Sequence, residues 1–259
     1  MEPAVILAAL GSGLLIGSIL GLIGGGGSIL AVPLLIYGVG ITDPHTAIGT
    51  GAVSVAANAL LGLWAHGRAQ NVKWRCAAVF AVSGVVGASL GAHLGKAVDG
   101  QRLLTLFGLV MVGVGLVSFR KPIRAEAPDV RLSWESAPHL LPRLIGSGGA
   151  VGLASGFFGI GGGFLIVPGL MWATAMPMGI AVGTSLVGVS AFGAATTASY
   201  ALSGLVNWPV AALMITGGMA GSALGTAASR SLSQQKRALS AVFGTIVILV
   251  GGFIVWSGL

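Results

Sequence analysis

The chain has 259 residues, of which 55% are hydrophobic and 7% charged, with a formal net charge of +7. A soluble domain carries roughly 25% charged residues to keep its surface in water, so this composition excludes a soluble fold and leaves lipid as the solvent. The positive charge forms no basic stripe and does not point to nucleic acid, and a single cysteine, Cys76, excludes an internal disulfide.

In lipid every backbone polar group must be paired within the protein, which leaves helices or a closed barrel. Barrel strands alternate polar and apolar residues. The apolar runs here are continuous and near the helical spanning length, which predicts an all-α polytopic membrane protein. The opening "MEPAVILAAL" lacks the positive segment of a signal peptide and is expected in the mature fold. In chain order, the first apolar segment covers 4–23 and runs into "GLIGGGGSILAVP" (21–33). The second, 28–40, is only about 12 residues, or roughly 18 Å of helix, against a hydrocarbon core of roughly 30 Å. Segments 45–65, 73–95 and 102–119 follow. The most polar stretch, 120–142, is the expected cytoplasmic linker. A second set occupies 143–159, 163–175, 178–203, 208–229 and 237–257, and the run 143–159, with Pro142 and Arg143 at its mouth, also reads as short.

The second set repeats the first. Gly21 matches Gly156, and Val32-Pro33 matches Val167-Pro168. "AIGTGAV" (47–53) matches "AVGTSLV" (181–187), "GVVGASLG" (84–91) matches "GMAGSALG" (218–225), and Gln101-Arg102 matches Gln235-Lys236. The chain therefore reads as two copies, 1–119 and 143–259. An odd number of segments per copy predicts opposite orientations. The 66–75 loop carries Arg68, Lys73 and Arg75, whereas its counterpart "SGLVNWP" (203–209) carries no charge. Basic loops stay in the cytoplasm, so the copies are expected to be inverted, with both termini outside. Each glycine-rich turn then reads as the tip of a broken or re-entrant hairpin, one from either side, as in secondary transporters.

The tips suggest the chemistry. Gly24, Gly25, Gly26, Gly27 and Ser28 in one copy, and Gly161, Gly162 and Gly163 in the other, sit where a second helix begins. A helix start has unpaired N–H groups and partial positive charge. Glycine lets a ligand approach them, giving an anion site without lysine or arginine. The competing reading is close helix packing, preferred for Gly84, Gly87, Gly91, Gly218, Gly221 and Gly225. Thr50, Ser54 and Asn58 share one helix face, and Thr184, with Ser185 beside it, is the repeat partner of Thr50. Such hydroxyl and amide groups suit an oxyanion, although serine and threonine also bond their own helix backbone. "GFFGIGGG" lacks the Gly-Lys-Ser/Thr of a phosphate loop and the βαβ setting of a dinucleotide fingerprint.

The paired "GLIGGGGSILAVPLL" and "GFFGIGGGFLIVPGL", each followed by "IGT" or "VGT" (48–50 and 182–184), resemble the sulfite exporter TauE/SafE family of membrane permeases over essentially the whole chain. The resemblance implies a permease of the bacterial inner membrane for small sulfur-containing anions such as sulfite or sulfoacetate. The expected partners are that substrate and the bilayer, with no cofactor and no metal. All six acidic residues, Glu2, Asp43, Asp99, Glu126, Asp129 and Glu135, fall outside the expected spans, which disfavours cation transport and carboxylate proton coupling. His93 lies furthest along a span and reads as interfacial. Trp64, Trp74, Trp208 and Trp256 lie near segment ends, as interfacial anchors do. The alternatives are an anion channel and a permease for a non-sulfur organic anion. An intramembrane enzyme is disfavoured, because no base or metal ligand accompanies Ser28. Oligomeric state has no signature in the sequence.

Overall fold

Polar groups start the helices where the sequence supplies them. Asp43 accepts hydrogen bonds from the N–H groups of His45 (3.3 Å) and Thr46 (2.9 Å) and from the Thr46 hydroxyl (2.6 Å), with Pro44 as the first helical residue. Asp99 accepts likewise from the N–H groups of Gln101 (3.1 Å) and Arg102 (3.2 Å). The computed structural model describes residues 2–23, 25–118, 130, 132–133, 135–159, 161–231 and 236–258. Among them every regular element is helical: α1 (Pro3–Ile23), a 3-10 turn (Gly25–Leu30), α2 (Ala31–Pro33), a π turn (Leu34–Gly38), α3 (Pro44–Arg68), α4 (Trp74–Ala97), α5 (Gly100–Ser118), α6 (Ala137–Phe158), α7 (Gly163–Thr174), α8 (Met178–Ala201), α9 (Trp208–Ser231) and α10 (Lys236–Gly258). Five of these, α1, α3, α4, α8 and α9, are long and apolar enough to cross a membrane.

One boundary differs from the sequence expectation. Helix α6 has 22 residues, roughly 33 Å, and begins at Ala137, inside the stretch read as linker. The short reading of 143–159 is therefore overturned. Pro142 lies in the second turn, where its missing N–H removes one bond near the helix start instead of breaking the middle. Helix α1 has 21 residues, a full crossing length, and corresponds to the expected segment 4–23. The two elements after the glycine turns are short as expected. Helix α7 has 12 residues, and Gly25–Gly38 mixes 3-10, α and π geometry. Of the acidic residues, Glu2, Asp43, Asp99 and Glu135 stand outside the long helices, while Glu126 and Asp129 lie outside the described residues.

Small residues on facing helices decide the packing. Helix α1 lies along α9, α6 along α4, α3 on α8 and α5 on α10. A Cβ on Gly13 would strike the backbone of Met214, on Gly17 that of Gly218, and on Gly21 that of Ser222. In the same way Gly87 meets Gly149, Gly91 meets Leu153, Gly152 meets Gly84 and Gly156 meets Ala88. Residue numbers rise together in these two pairs, so each pair is parallel. The remaining pairs run antiparallel: Gly49 faces Tyr200 and Gly62 faces Leu186, while Gly108 faces Gly251 and Gly115 faces Ile248. Helix α4 shows the logic on one element. Gly84, Gly87, Gly91 and Gly95 are buried against α6, whereas Val82, Val86, Leu90 and Leu94 are each more than half exposed. An outward stripe of this kind suits lipid and not water. Trp64, Trp74, Trp208 and Trp256 are exposed near helix ends.

Asp43 permits a clean test of capping. Burial acts to raise its pKa, but the hydrogen bonds from Thr46 and His45 and the charge of His45 hold it below the ordinary value. A carboxylate with a lowered folded pKa stabilises the fold above its unfolded pKa of about 3.9 and loses that contribution as pH falls through the folded value. Asp43→Ala is expected to cost about 1 kcal/mol at neutral pH, with the deficit against wild type shrinking in strong acid. Asp43→Asn keeps the acceptor and should melt close to wild type at pH 7. Thermal melts of the three proteins between pH 3 and pH 7 check this.

Candidate functional site

Both glycine turns reach the interior. Gly26, Gly27 and Ser28 are buried in the first, and Gly24 lies outside the described residues. In the second, Gly159, Gly161 and Gly162 have φ of +65°, +63° and +69°, a left-handed sequence that places the chain at the start of α7. A side chain on Gly161 would meet Val55 at 3.0 Å and Val189 at 3.7 Å, near the middle of α3 and of α8. The Gly25–Leu30 turn packs against α7, α8 and α3. The two short elements therefore meet in the bundle interior. Helix α1 is of full length and runs beside α9 up to this turn, with Gly21 against Ser222 and Gly225.

Thr50 and Thr184 each bond a loop. The Thr50 hydroxyl oxygen accepts from the backbone N–H of Asn207 at 2.9 Å, and that of Thr184 accepts from the backbone N–H of Lys73 at 3.1 Å. Asn207 is the repeat counterpart of Lys73. Each threonine thus holds the loop before α4 or α9 of the other copy. The glycines beside them, Gly49 and Gly183, admit those loops: a Cβ would strike the carbonyls of Leu205 and Asn71, again repeat counterparts. Because α3 and α8 are antiparallel, Thr184 lies level with the His66 end of α3, roughly 20 Å along the helix from Thr50. One small anion does not touch both.

The other polar residues divide by what their hydrogens do. The Ser54 hydroxyl donates to the Thr50 carbonyl at 2.9 Å, and the Ser185 hydroxyl to the Val182 carbonyl at 2.7 Å. Both follow the backbone-bonding alternative, and neither offers its proton to a ligand in this conformation. Asn58 is different. It is 1% exposed, and neither its Nδ2 nor its Oδ1 has a partner. Ser155 and Thr196 are also buried with unpartnered hydroxyls. These two were not legible from the sequence, where each is one small polar residue among many in an apolar run. Among the described residues, none of the buried polar side chains carries a charge, and no group of three potential metal ligands is found. Lys96, at the end of α4, donates to the Ser199 carbonyl (3.1 Å) and the Ser203 hydroxyl (3.0 Å).

Long apolar helices, lipid-facing outer surfaces and two glycine turns meeting in an uncharged interior define a membrane transport protein. The Sulfite exporter TauE/SafE family model matches residues 9–254, and the chain belongs to that family. It is 49% identical over 251 residues to a probable membrane transporter protein of Xylella fastidiosa, covering 97% of this chain and 95% of the relative. It is 29% identical over 272 residues to the probable membrane transporter protein YunE of Bacillus subtilis, covering 98% of each. A probable membrane transporter protein of Methanocaldococcus jannaschii is 26% identical over 249 residues, covering 90% of this chain and 91% of the relative. No solved structure matches. The family is one of transporters, and the protein is not an enzyme.

Proposed function

We propose that the protein is a secondary transporter of small sulfur-containing oxyanions, such as sulfite or sulfoacetate, moving them outward across a bacterial inner membrane. The observation that carries this reading is the glycine turn that starts α7 near the middle of α3 and α8, meeting the Gly25–Leu30 turn beside buried neutral donors. Helix N-termini bind anions through N–H groups and the dipole. An uncharged site releases its ligand readily, as a carrier requires. The family's description as sulfite exporters supports the substrate class. We further propose that the two copies are inverted in the membrane, so that one turn enters from each side. Supporting this, the equivalent helices α3 and α8 run antiparallel, as do α5 and α10. The basic 69–73 loop adjoins the start of α4, while Lys96 at the far end of α4 holds the uncharged loop through Ser203.

Purified protein in proteoliposomes is expected to catalyse counterflow of 35S-sulfite against unlabelled sulfite or sulfoacetate. Dissipation of the gradient without exchange would identify a channel, and exchange of carboxylates alone would shift the substrate class away from sulfur. Single cysteines at the exposed Ala69 and Leu202, in a Cys76→Ser background, are expected to react with impermeant maleimide from opposite sides. Labelling of both from one side would refute inversion.

A further inference from the structure

We infer that the anion is held off-centre, in the first copy, with the carboxamide of Asn58 as its principal side-chain ligand. The inference rests on the transporter reading above and narrows it, because the sequence repeat by itself implies two equivalent halves. The repeat counterpart of Asn58 is Phe192. Their settings match: Asn58 packs on Gly218 of α9, and Phe192 packs on Gly84 of α4, itself the counterpart of Gly218. Phe192 is 0% exposed, stacks on Phe80 at a centroid distance of 5.9 Å, and reaches its own tip, where a Cβ on Gly162 would lie 3.4 Å from the ring. At this position the second half is thus filled by an apolar ring. In the corresponding place the other half has a smaller side chain with two donor hydrogens and one acceptor, all buried and unpaired. Burying a bare amide is unfavourable unless a partner arrives. A ligand with several acceptor oxygens is such a partner.

Ser155, the counterpart of Leu20, is the rival on the second side, since its hydroxyl faces Gly162. A serine hydroxyl can rotate onto a carbonyl of its own helix, so its lack of a partner in one rotamer demands no ligand. A carboxamide cannot satisfy three hydrogen-bonding sites in that way.

The test uses full-length protein, 35S-sulfite counterflow in proteoliposomes, and thermal shift with sulfite and sulfoacetate. Asn58→Leu is expected to raise the melting temperature of the ligand-free protein, to abolish the ligand-induced shift and to lower exchange at least tenfold. Asn58→Asp, of equal size, replaces donors with acceptors and should lower exchange as much. Ser155→Ala should exchange within threefold of wild type. Exchange within twofold of wild type in both Asn58 variants would overturn the inference while leaving the transporter reading intact. A lowered ligand-free melting temperature together with lost exchange in both variants would mark a packing role and also overturn it. Wild-type protein that exchanges neither probe would overturn the transporter reading and the inference with it.

Discussion

Gly152→Val is expected to prevent the protein from accumulating as a folded, monodisperse species. At Gly152 an added Cβ would collide with the backbone of Gly84, whose Cα would be 2.6 Å away. No rotamer change relieves that contact, because the obstacle is main chain. Helices α4 and α6 would have to separate along the seam where Gly87, Gly91, Gly148 and Gly156 also make backbone approaches. Lipid supplies no hydrophobic force to hold separated helices together, so close packing is the main attraction lost. Overpacking in an adaptable core costs about 1–3 kcal/mol, and a seam of rigid backbone should fall at or beyond the top of that range. Gly17→Val on α1 faces Gly218 in the same way and should behave alike. Gly146→Ala is the control: nothing lies within 4 Å of its added methyl, and relief of glycine's helix penalty should make it neutral or stabilising by up to about 1 kcal/mol. Fluorescence-detected size exclusion and thermal melting of the three variants check the expectation. A monodisperse Gly152→Val protein melting with wild type would show that the seam is looser than described.

The second large effect is expected from Thr50→Val combined with Thr184→Val. Valine keeps the shape and removes the acceptor, leaving the N–H groups of Asn207 and Lys73 without their partners. An unsatisfied buried donor costs about 1–3 kcal/mol, and both sites are only partly buried, which favours the lower end. The double variant should therefore lose about 2–4 kcal/mol in all if the sites are independent. Hydrogen exchange should quicken at 69–73 and at 202–207 and nowhere else first, whereas Thr→Ser at both positions should restore protection. Unchanged exchange in both loops would show that the threonines do not hold them.

What was readable in the sequence and what was not divide along a physical line. Composition imposes lipid, and lipid imposes helices, so the segments at 45–65 and 73–95 correspond closely to α3 and α4. The repeated glycines were readable because a position that admits no Cβ leaves a visible residue type. Helix α6 was misjudged at its start because Pro142 reads as a stop, although near a helix beginning it removes only one bond. Thr50 and Thr184 stood out as a pair, yet their partners are backbone N–H groups separated from them by 157 and 111 residues. A main-chain donor has no letter of its own, so no pattern could reveal that contact. Ser54 and Ser185 follow the backbone-bonding alternative that the sequence left open, a polar letter inside an apolar run marking a bond to the preceding turn.

The cross-pairing of helices also bears on how the molecule is made. The glycine face of α1 finds its partner only when α9 has been synthesised, and α4 must wait for α6. Early helices are therefore expected to wait during translation without their close-packed partners, and the loop before α4 without Thr184 to bond it. Neither copy is expected to fold alone. A gene divided within the 120–136 stretch should give two fragments that are degraded when made alone and form a stable protein when made together.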